Sequence, residues 1–167
     1  LLTRLDGALI AAMGEGADIL TVAYAGDVPV KPVQQQMQEW QRVLGNALQQ
    51  GQFSLARFPT IDREGGLIHH EAPARLERDG RTLSAGQFLP WVNRLQLSAE
   101  LDRAIVTLAL QAIARDGQPV AVNLTLASVA DGGFLSWLEE QLTVHHKQAP
   151  SLWLEVPEPL VFRHLDN

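Results

Sequence analysis

The chain has 167 residues, no cysteine and a formal net charge of −6, from 13 Lys and Arg against 19 Asp and Glu. The lack of cysteine excludes a disulfide framework, a thiolate nucleophile and a Cys-ligated metal site. The acidic balance argues against a protein that coats DNA or RNA through its charge. Hydrophobic residues make up 46% of the chain, too many for a disordered segment, yet no apolar run reaches the ~20 residues that span a bilayer.

The first two dozen residues carry one predicted helix and one predicted strand. In residues 1–13 the apolar side chains recur three or four positions apart, which is the spacing of a helix stripe, and Ile19–Tyr24 is rich in strand-forming residues. Such a block is too small to fold alone. We expect it to be the end of a domain whose body lies upstream.

The clearest helical pattern covers residues 33–50. One apolar stripe with intervals of four, three, four and three consists of Val33, Met37, Trp40, Leu44 and Ala47. A narrow stripe of this kind packs against one partner surface. Two interpretations stay open, a linker helix that lies on a neighbouring domain and a signalling or dimerising helix.

The remainder alternates between strand and helix patterns. Strands are predicted at 53–61 and 66–72, and the short link between them permits only an antiparallel hairpin. Helices at 98–115 and 131–143 then alternate with strands at 119–126 and 151–156, which predicts parallel pairing in an α/β sheet or barrel. Because a (β/α)8 barrel needs ~250 residues, we expect either a small open sheet or about half of a barrel.

Three polar residues lie within or at the ends of predicted strands. They are Glu71, Asn123 and Glu155. In a barrel the carboxyl-terminal strand ends converge at one mouth, and carboxylate and carboxamide oxygens there would suit Mg²⁺, Mn²⁺ or Ca²⁺. The alternative is that each is an ordinary strand residue that is hydrogen-bonded or faces solvent.

Several short segments resemble, in order, the motifs of the EAL family of cyclic di-GMP phosphodiesterases and receptors. These segments are Phe53–Asp62, Glu71-Ala72-Pro73-Ala74-Arg75, Phe88-Leu89-Pro90, Leu101-Asp102-Arg103, Val122-Asn123-Leu124-Thr125 and Leu154-Glu155-Val156-Pro157-Glu158. The first block is similar to the last helix and strand of a GGDEF domain, although Met13 stands where that domain usually has Lys.

The resemblance implies a fold and a division of the chain. Residues 1–26 would be the C-terminal end of a GGDEF-like domain, 27–51 a linker helix, and 52–167 the N-terminal half of a degenerate EAL-like domain. The fold class would be α/β, the first half of an EAL-type (β/α)8 TIM-like barrel with an antiparallel first strand.

The resemblance also implies site residues. Glu71, Asn123 and Glu155 would be ligands of Mg²⁺ or Mn²⁺ if metal is bound, and Glu71 would be catalytic if the domain is active. Arg75 would hold a phosphate of the dinucleotide, a task suited to a bidentate and permanently charged guanidinium group. The other expected ligand contacts are Phe58, Pro59, Pro90 and Trp91, although a core or interface role is the alternative for the tryptophan.

Three departures from the family pattern bear on activity. Phe58 replaces a Gln, Pro73 replaces the Leu of the Glu-Ala-Leu triplet, and Asn93 replaces a Glu. The paired aspartates, lysine and distal glutamate of the family's second half do not occur before Asn167. These features favour a cyclic di-GMP receptor without hydrolytic activity, for which metal is not required.

Two alternatives stay open beside the receptor. One is an active Mg²⁺- or Mn²⁺-dependent phosphodiesterase that produces pGpG, with its second half outside this chain. The other is a scaffold for protein–protein contact that binds no ligand.

Within the family, Phe88-Leu89-Pro90-Trp91 and the altered motifs are similar to receptors of the LapD type. That likeness implies a cytoplasmic domain of an inner-membrane protein, with upstream GGDEF and membrane-sensor domains and a homodimer through the EAL domain.

Overall fold

The computed structural model describes residues 31–157. The expectations for the helix in 1–13, the strand Ile19–Tyr24 and the GGDEF-like block 1–26 lie outside this range, as does everything after Pro157. The elements, in chain order, are α1 (Val33–Gln50), β1 (Phe53–Leu55), β2 (Phe58–Ile61), β3 (Leu67–Glu71), β4 (Ala74–Arg78), β5 (Arg81–Ser84), α2 (Ala85–Arg94), α3 (Ser98–Asp116), β6 (Val120–Asn123), α4 (Leu126–Val129), α5 (Gly132–Val144), a 3-10 turn (Ala149–Ser151) and β7 (Leu152–Glu155).

Helix α1 follows the sequence pattern closely. It ends at Gly51, which adopts the left-handed conformation (φ +65°) and donates its backbone N–H to the Ala47 carbonyl group. Leu44 and Ala47 are fully buried by the rest of the fold. The helix predicted over 33–50 is therefore confirmed, with its apolar stripe facing the protein.

Two separate sheets follow. A three-stranded antiparallel sheet has the order β1-β4-β5, and a four-stranded mixed sheet has the order β2-β3-β6-β7. In the larger sheet β2 is antiparallel to β3, whereas β3, β6 and β7 are mutually parallel. The expected α/β class with an antiparallel first strand is confirmed.

The structure corrects the prediction of one strand over 53–61. Residues 53–55 pair with β4 in the small sheet, and residues 58–61 pair with β3 in the large sheet. The chain passes between the sheets at Ala56 and Arg57, where Ala56 donates its N–H to the Pro73 carbonyl group at 3.1 Å. The expected hairpin between 58–61 and 67–71 is confirmed as antiparallel.

Helix α3 lies behind the large sheet and supplies much of the core. Its 19 residues bury Leu101, Ile105, Val106 and Ala109 together with Val120 and Val122 of β6. Burial of branched and aliphatic side chains between a helix and a sheet is the main stabilising contribution in such a layer. The opposite face of the sheet carries the polar residues described below.

Within residues 31–157, no helix combines the length and apolar character that crossing a membrane would require.

Candidate functional site

The carboxyl-terminal ends of the parallel strands bring three predicted site residues to one face of the large sheet. Glu71 is aligned with Ala121, and Asn123 is aligned with Glu155. Side chains two positions apart on a strand point the same way, so Glu71, Asn123 and Glu155 share a face. The strand register thus places the three residues on one face of the sheet, and their role as metal ligands stays a prediction.

Asn123 and Glu155 are direct neighbours in this arrangement. Their strands continue to pair one residue further, because Leu124 donates its N–H to the Glu155 carbonyl group at 2.8 Å. Adjacent strands are ~4.8 Å apart, which places a carboxamide beside a carboxylate. Glu71 lies on the adjacent strand β3. It is aligned with Ala121, two residues before Asn123 on β6, and shares the same face of the sheet.

A large cavity opens at this end of the sheet. It has a volume of about 1190 Å³ and is bounded by residues that directly follow the strands, by α2 and by the start of α3. Its wall includes Ala72, Pro73, Leu89, Asn93, Asn123 and Pro157. A concave, mainly apolar space with a few converging polar groups is typical of a small-molecule site.

The cavity has a polar floor centred on Asp102 of α3. This side chain is only 2% exposed, and its Oδ2 accepts hydrogen bonds from Thr125 N (2.7 Å) and Thr125 Oγ1 (2.8 Å). Burial raises the pKa of the Asp102 carboxyl group, although the hydrogen bonds from Thr125 and Ser128 favour its charged form. Nearby, Ser98 donates its hydroxyl group to Asn93 Oδ1 at 3.1 Å.

Phe58 and Pro59 lie on β2 beside β3. Phe58 is aligned with Glu71 and is 52% exposed, and Pro59 is aligned with His70 and is also exposed. The aromatic ring of Phe58 therefore shares the face of Glu71. The contact of Phe58 with a ligand stays a prediction, and the ring does not line the cavity described above.

Arg75 is placed differently from the other predicted residues. It lies on β4 of the small sheet, opposite Ser54 and Ser84, and its Nη1 donates to the Ala74 carbonyl group at 3.0 Å. The neighbouring Ala74 lines the cavity, but Arg75 does not. The structure thus does not gather Arg75 with the three residues of the large sheet.

Pro90 and Trp91 lie within α2. Pro90 is half-buried inside the helix, and Trp91 is 4% exposed and stacks on Trp40 of α1. This ring lies in the core and does not line the cavity. The placement corresponds to the core role that the sequence left open for Trp91. The residues of α2 that line the cavity are Ala85, Leu89 and Asn93.

The donor set at the strand ends has the chemistry of a divalent-cation site. Two carboxylates and a carboxamide supply the hard oxygen atoms that Mg²⁺ and Mn²⁺ prefer. Across residues 31–157, however, no three His, Cys, Asp or Glu side chains are grouped closely enough to hold a metal ion. A cation would therefore depend on the Asn123 oxygen together with Glu71 and Glu155.

Two buried polar groups near this face received no role from the sequence. Asp102 interrupts the apolar stripe of α3, and that interruption is the signal that identifies it. His69 lies on β3 two residues before Glu71, is 9% exposed and contacts the Trp153 ring. Its Nδ1 has no hydrogen-bond partner among residues 31–157. No pattern in the sequence distinguishes His69 from its neighbour His70.

Comparisons with known proteins agree on one family. The model of the EAL domain matches residues 41–167. A curated protein of Mycobacterium tuberculosis (strain ATCC 25618 / H37Rv), described as uncharacterised, is 25% identical over 174 residues, which cover 99% of this chain and 27% of that protein. The chain thus spans about a quarter of the length of the curated relative.

Two solved structures are similar in fold. The Vibrio cholerae LapD S helix-GGDEF-EAL chain, bound to c-di-GMP, superposes with a TM-score of 0.76 at 24% identity and covers 95% of this chain and 39% of that chain. The FimX EAL domain of Xanthomonas citri, in complex with c-di-GMP, has a TM-score of 0.70 at 29% identity and covers 80% of this chain and 55% of that chain.

Proposed function

Because the chain belongs to the EAL domain family, we propose that it binds cyclic di-GMP without hydrolysing it and relays binding to a larger signalling protein. The supporting observation is the cavity of about 1190 Å³ at the strand ends that carry Asn123, together with the face that it shares with Glu71 and Glu155. The X. citri FimX domain, 29% identical, binds this dinucleotide.

The proposed ligand-binding site has both apolar and polar walls. Pro73 and Leu89 would contact the faces of the bases or riboses, and Asn93 would offer hydrogen bonds to their edges. Phe58 would extend the apolar wall on the far side of Glu71. Aromatic and proline surfaces of this kind bind nucleobases by stacking.

Arg75 is the proposed phosphate-binding residue. It follows Pro73 and Ala74, both of which line the cavity, and a guanidinium group can bind a phosphate through two hydrogen bonds. Its present hydrogen bond joins only the carbonyl group of Ala74. Exchange of that bond for a phosphate contact would bring Arg75 into the site.

Lack of hydrolysis is supported by substitutions at the site itself. Pro73 directly follows the Glu71-Ala72 pair, fixes its own φ and has no backbone N–H to donate. Phe58 places an aromatic ring directly opposite Glu71, where the family pattern has a Gln, and Asn93 replaces a carboxylate at the cavity wall with an amide. Each of the last two changes removes a polar group or a negative charge that would attract a divalent cation.

A second candidate is an active phosphodiesterase that uses Mg²⁺ or Mn²⁺ and releases pGpG. The observation in its favour is that Glu71, Asn123 and Glu155 retain a common face, as a metal-dependent phosphodiester hydrolase requires. In that case the cations would activate a water molecule and stabilise the charge that develops during in-line attack.

The assembly context remains a proposal too. We infer that α1 connects this domain to upstream GGDEF and membrane-sensor domains, with the boundaries 1–26, 27–51 and 52–167, and that the protein forms a homodimer on the cytoplasmic side of the inner membrane. The likeness to the LapD chain over 95% of this chain supports that domain order.

The test is a binding and turnover experiment on the full-length protein. Calorimetry with cyclic di-GMP should detect binding, and incubation with Mg²⁺ or Mn²⁺ should yield no pGpG. Asn123→Ala and Arg75→Ala should each weaken binding, whereas Glu140→Gln, an exposed charge change on α5, should not. Turnover that disappears in Glu71→Gln would establish the enzyme instead, and no heat at about 100 μM ligand would argue against both functions.

A further inference from the structure

The residues after β6 are held in place by a contact with α3. Asn123 ends the strand, Leu124 is buried, and Thr125 begins helix α4 as its N-cap. Two backbone N–H groups fix this turn on opposite sides. Leu124 donates to the Glu155 carbonyl group at 2.8 Å, and Thr125 donates to Asp102 Oδ2 at 2.7 Å.

Asp102 makes more than one contact with this turn. Its Oδ2 also accepts the Thr125 hydroxyl group at 2.8 Å, and that hydroxyl oxygen lies 2.8 Å from Ser128 Oγ and 3.3 Å from Ser128 N. Ser128 is completely buried. The carboxylate, the threonine and the serine therefore form one connected network in which each member depends on the others.

We propose that Asp102 is a positioning residue that fixes the orientation of Asn123 at the ligand site. The proposal rests on the function proposed above, because it assigns Asp102 a part in that site. Within residues 31–157 the hydrogen bonds of Asp102 go to Thr125 and its network, not to Asn123. Asp102 acts through Thr125, two residues further along, because the hydrogen bonds of the Leu124 and Thr125 N–H groups restrict the backbone that leads back to Asn123.

The alternative is that Asp102 only stabilises the fold. A buried carboxylate that accepts two hydrogen bonds would destabilise the protein when removed, whatever its relation to the site. The two roles differ in one measurable respect. A positioning residue affects ligand affinity through Asn123, so its effect should vanish when Asn123 is already removed.

The test is a double-mutant cycle on cyclic di-GMP binding by the full-length protein. Asp102→Ala should raise the Kd by about tenfold or more, as the loss of an orienting partner does in other sites. In the Asn123→Ala background the same change should raise the Kd by less than about twofold. Equal factors in the two backgrounds would overturn the proposal.

A matched control is available in Asp62. Its Oδ1 accepts two backbone N–H groups, from Glu64 (2.9 Å) and Gly66 (2.7 Å), in the turn before β3 at the opposite end of that strand from Glu71. Asp62→Ala therefore removes a similar anchor far from the site. It should change the Kd by less than about twofold in both backgrounds.

Milder variants keep the test decisive if Asp102→Ala does not fold. Thr125→Ser retains both hydrogen bonds to Asp102 and should bind like the wild type, whereas Thr125→Val loses the hydroxyl group and should bind more weakly. Equal binding by these two variants would contradict the proposal.

Nuclear magnetic resonance of the free protein separates this inference from the proposed function. If the wild type binds no cyclic di-GMP, the proposed function fails, and the Asn123 side-chain amide signals still report its orientation. We expect these signals to shift in Asp102→Ala and to stay in place in Asp62→Ala. Unchanged Asn123 signals in Asp102→Ala would overturn the positioning role.

Discussion

Trp40 of α1 and Trp91 of α2 stack with ring centroids 5.8 Å apart and ring planes inclined by 13°. The Arg78 guanidinium group lies 5.2 Å from the centre of a Trp40 ring and also pairs with Glu39 at 2.9 Å. This cluster joins α1 to the small sheet and to α2, the helix whose Leu89 and Asn93 line the cavity.

Removal of the Trp40 ring should therefore loosen α1. Trp40→Ala deletes the stacking partner of Trp91 and the surface beneath Arg78, and we expect the free energy of unfolding to fall by about 2–4 kcal/mol. Trp40→Phe retains an aromatic ring and should lose less. Urea denaturation measures both variants, and an equal loss in the two would contradict a specific role for the stack.

Gly45 within α1 and Gly51, which caps its carboxyl-terminal end, should respond oppositely to replacement by alanine. Gly45 lies inside the helix with open space where a Cβ would be, so Gly45→Ala should stabilise the protein by about 0.5–1 kcal/mol. Gly51 has φ +65° at the helix end, so Gly51→Ala should destabilise it by about 1 kcal/mol. Thermal unfolding should show a higher melting temperature for Gly45→Ala and a lower one for Gly51→Ala than for the wild type.

Asp116 should contribute to stability mainly at neutral pH. Its ion pair with Arg57, together with a hydrogen bond from Gln118 N–H, lowers the pKa of the Asp116 carboxyl group. The folded state therefore holds this proton less tightly than the unfolded state, and the contribution is lost as the pH falls through the lowered pKa. Asp116→Asn should reduce the loss of stability on acidification, which denaturation between neutral pH and pH 3 measures. Arg57→Gln should return the Asp116 titration toward its ordinary range.

The contribution of Asp102 to stability should depend on pH in the opposite direction to that of Asp116. Burial raises the pKa of its carboxyl group, so its contribution to stability is present below the ordinary pKa of aspartate, ~3.9, and is lost as the pH rises through the raised value. Relative to Asp102→Asn, the wild type should become less stable as the pH rises from the ordinary aspartate pKa through the raised pKa of Asp102. Carboxyl carbon resonances should give Asp102 a higher midpoint than Asp116, and the reverse order would refute the burial argument.

Ligand binding by the proposed receptor should not require a divalent cation. The cavity is lined by apolar surface, amide groups and the carboxylates of Asp102 and Asp131, and of the three predicted metal ligands only Asn123 lines it. Both carboxylates already accept backbone N–H groups, Asp102 from Thr125 and Asp131 from Phe134. We expect chelation by EDTA to change the Kd for cyclic di-GMP by less than about twofold. A large loss that Mn²⁺ restores would instead indicate a metal-bridged ligand and favour the phosphodiesterase.

The small sheet contains a hairpin whose turn is marked in the sequence although its strands are not. Its β4–β5 hairpin was not predicted, yet Asp79 and Gly80 form its turn with φ of +50° and +73°. An Asp-Gly pair is a strong hairpin signal because both residues tolerate positive φ. Charged residues on β4 obscured the alternation that would otherwise have marked the strand.

Helix α2 and the division of residues 53–61 were harder to foresee. Pro90 lies inside α2 and argues against a helix, although Ser84 and Gln87 form a capping box at its start, where Ser84 N–H donates to Gln87 Oε1 at 2.8 Å. The change of partner at Ala56 and Arg57 depends on two distant strands, which local periodicity does not reveal. The helix over 33–50 was predictable because its apolar residues form a single stripe, and that stripe is the surface that packs against the core.

The reversed direction of β2 has a consequence for the path of the chain from α1 to Glu71. A parallel strand would enter the sheet at the end remote from Glu71, but β2 begins at Phe58, beside Glu71. The chain from α1 thus reaches the edge beside Glu71 after only β1 and four further residues. A displacement of α1 would reach that edge by a short covalent route, without first crossing the sheet.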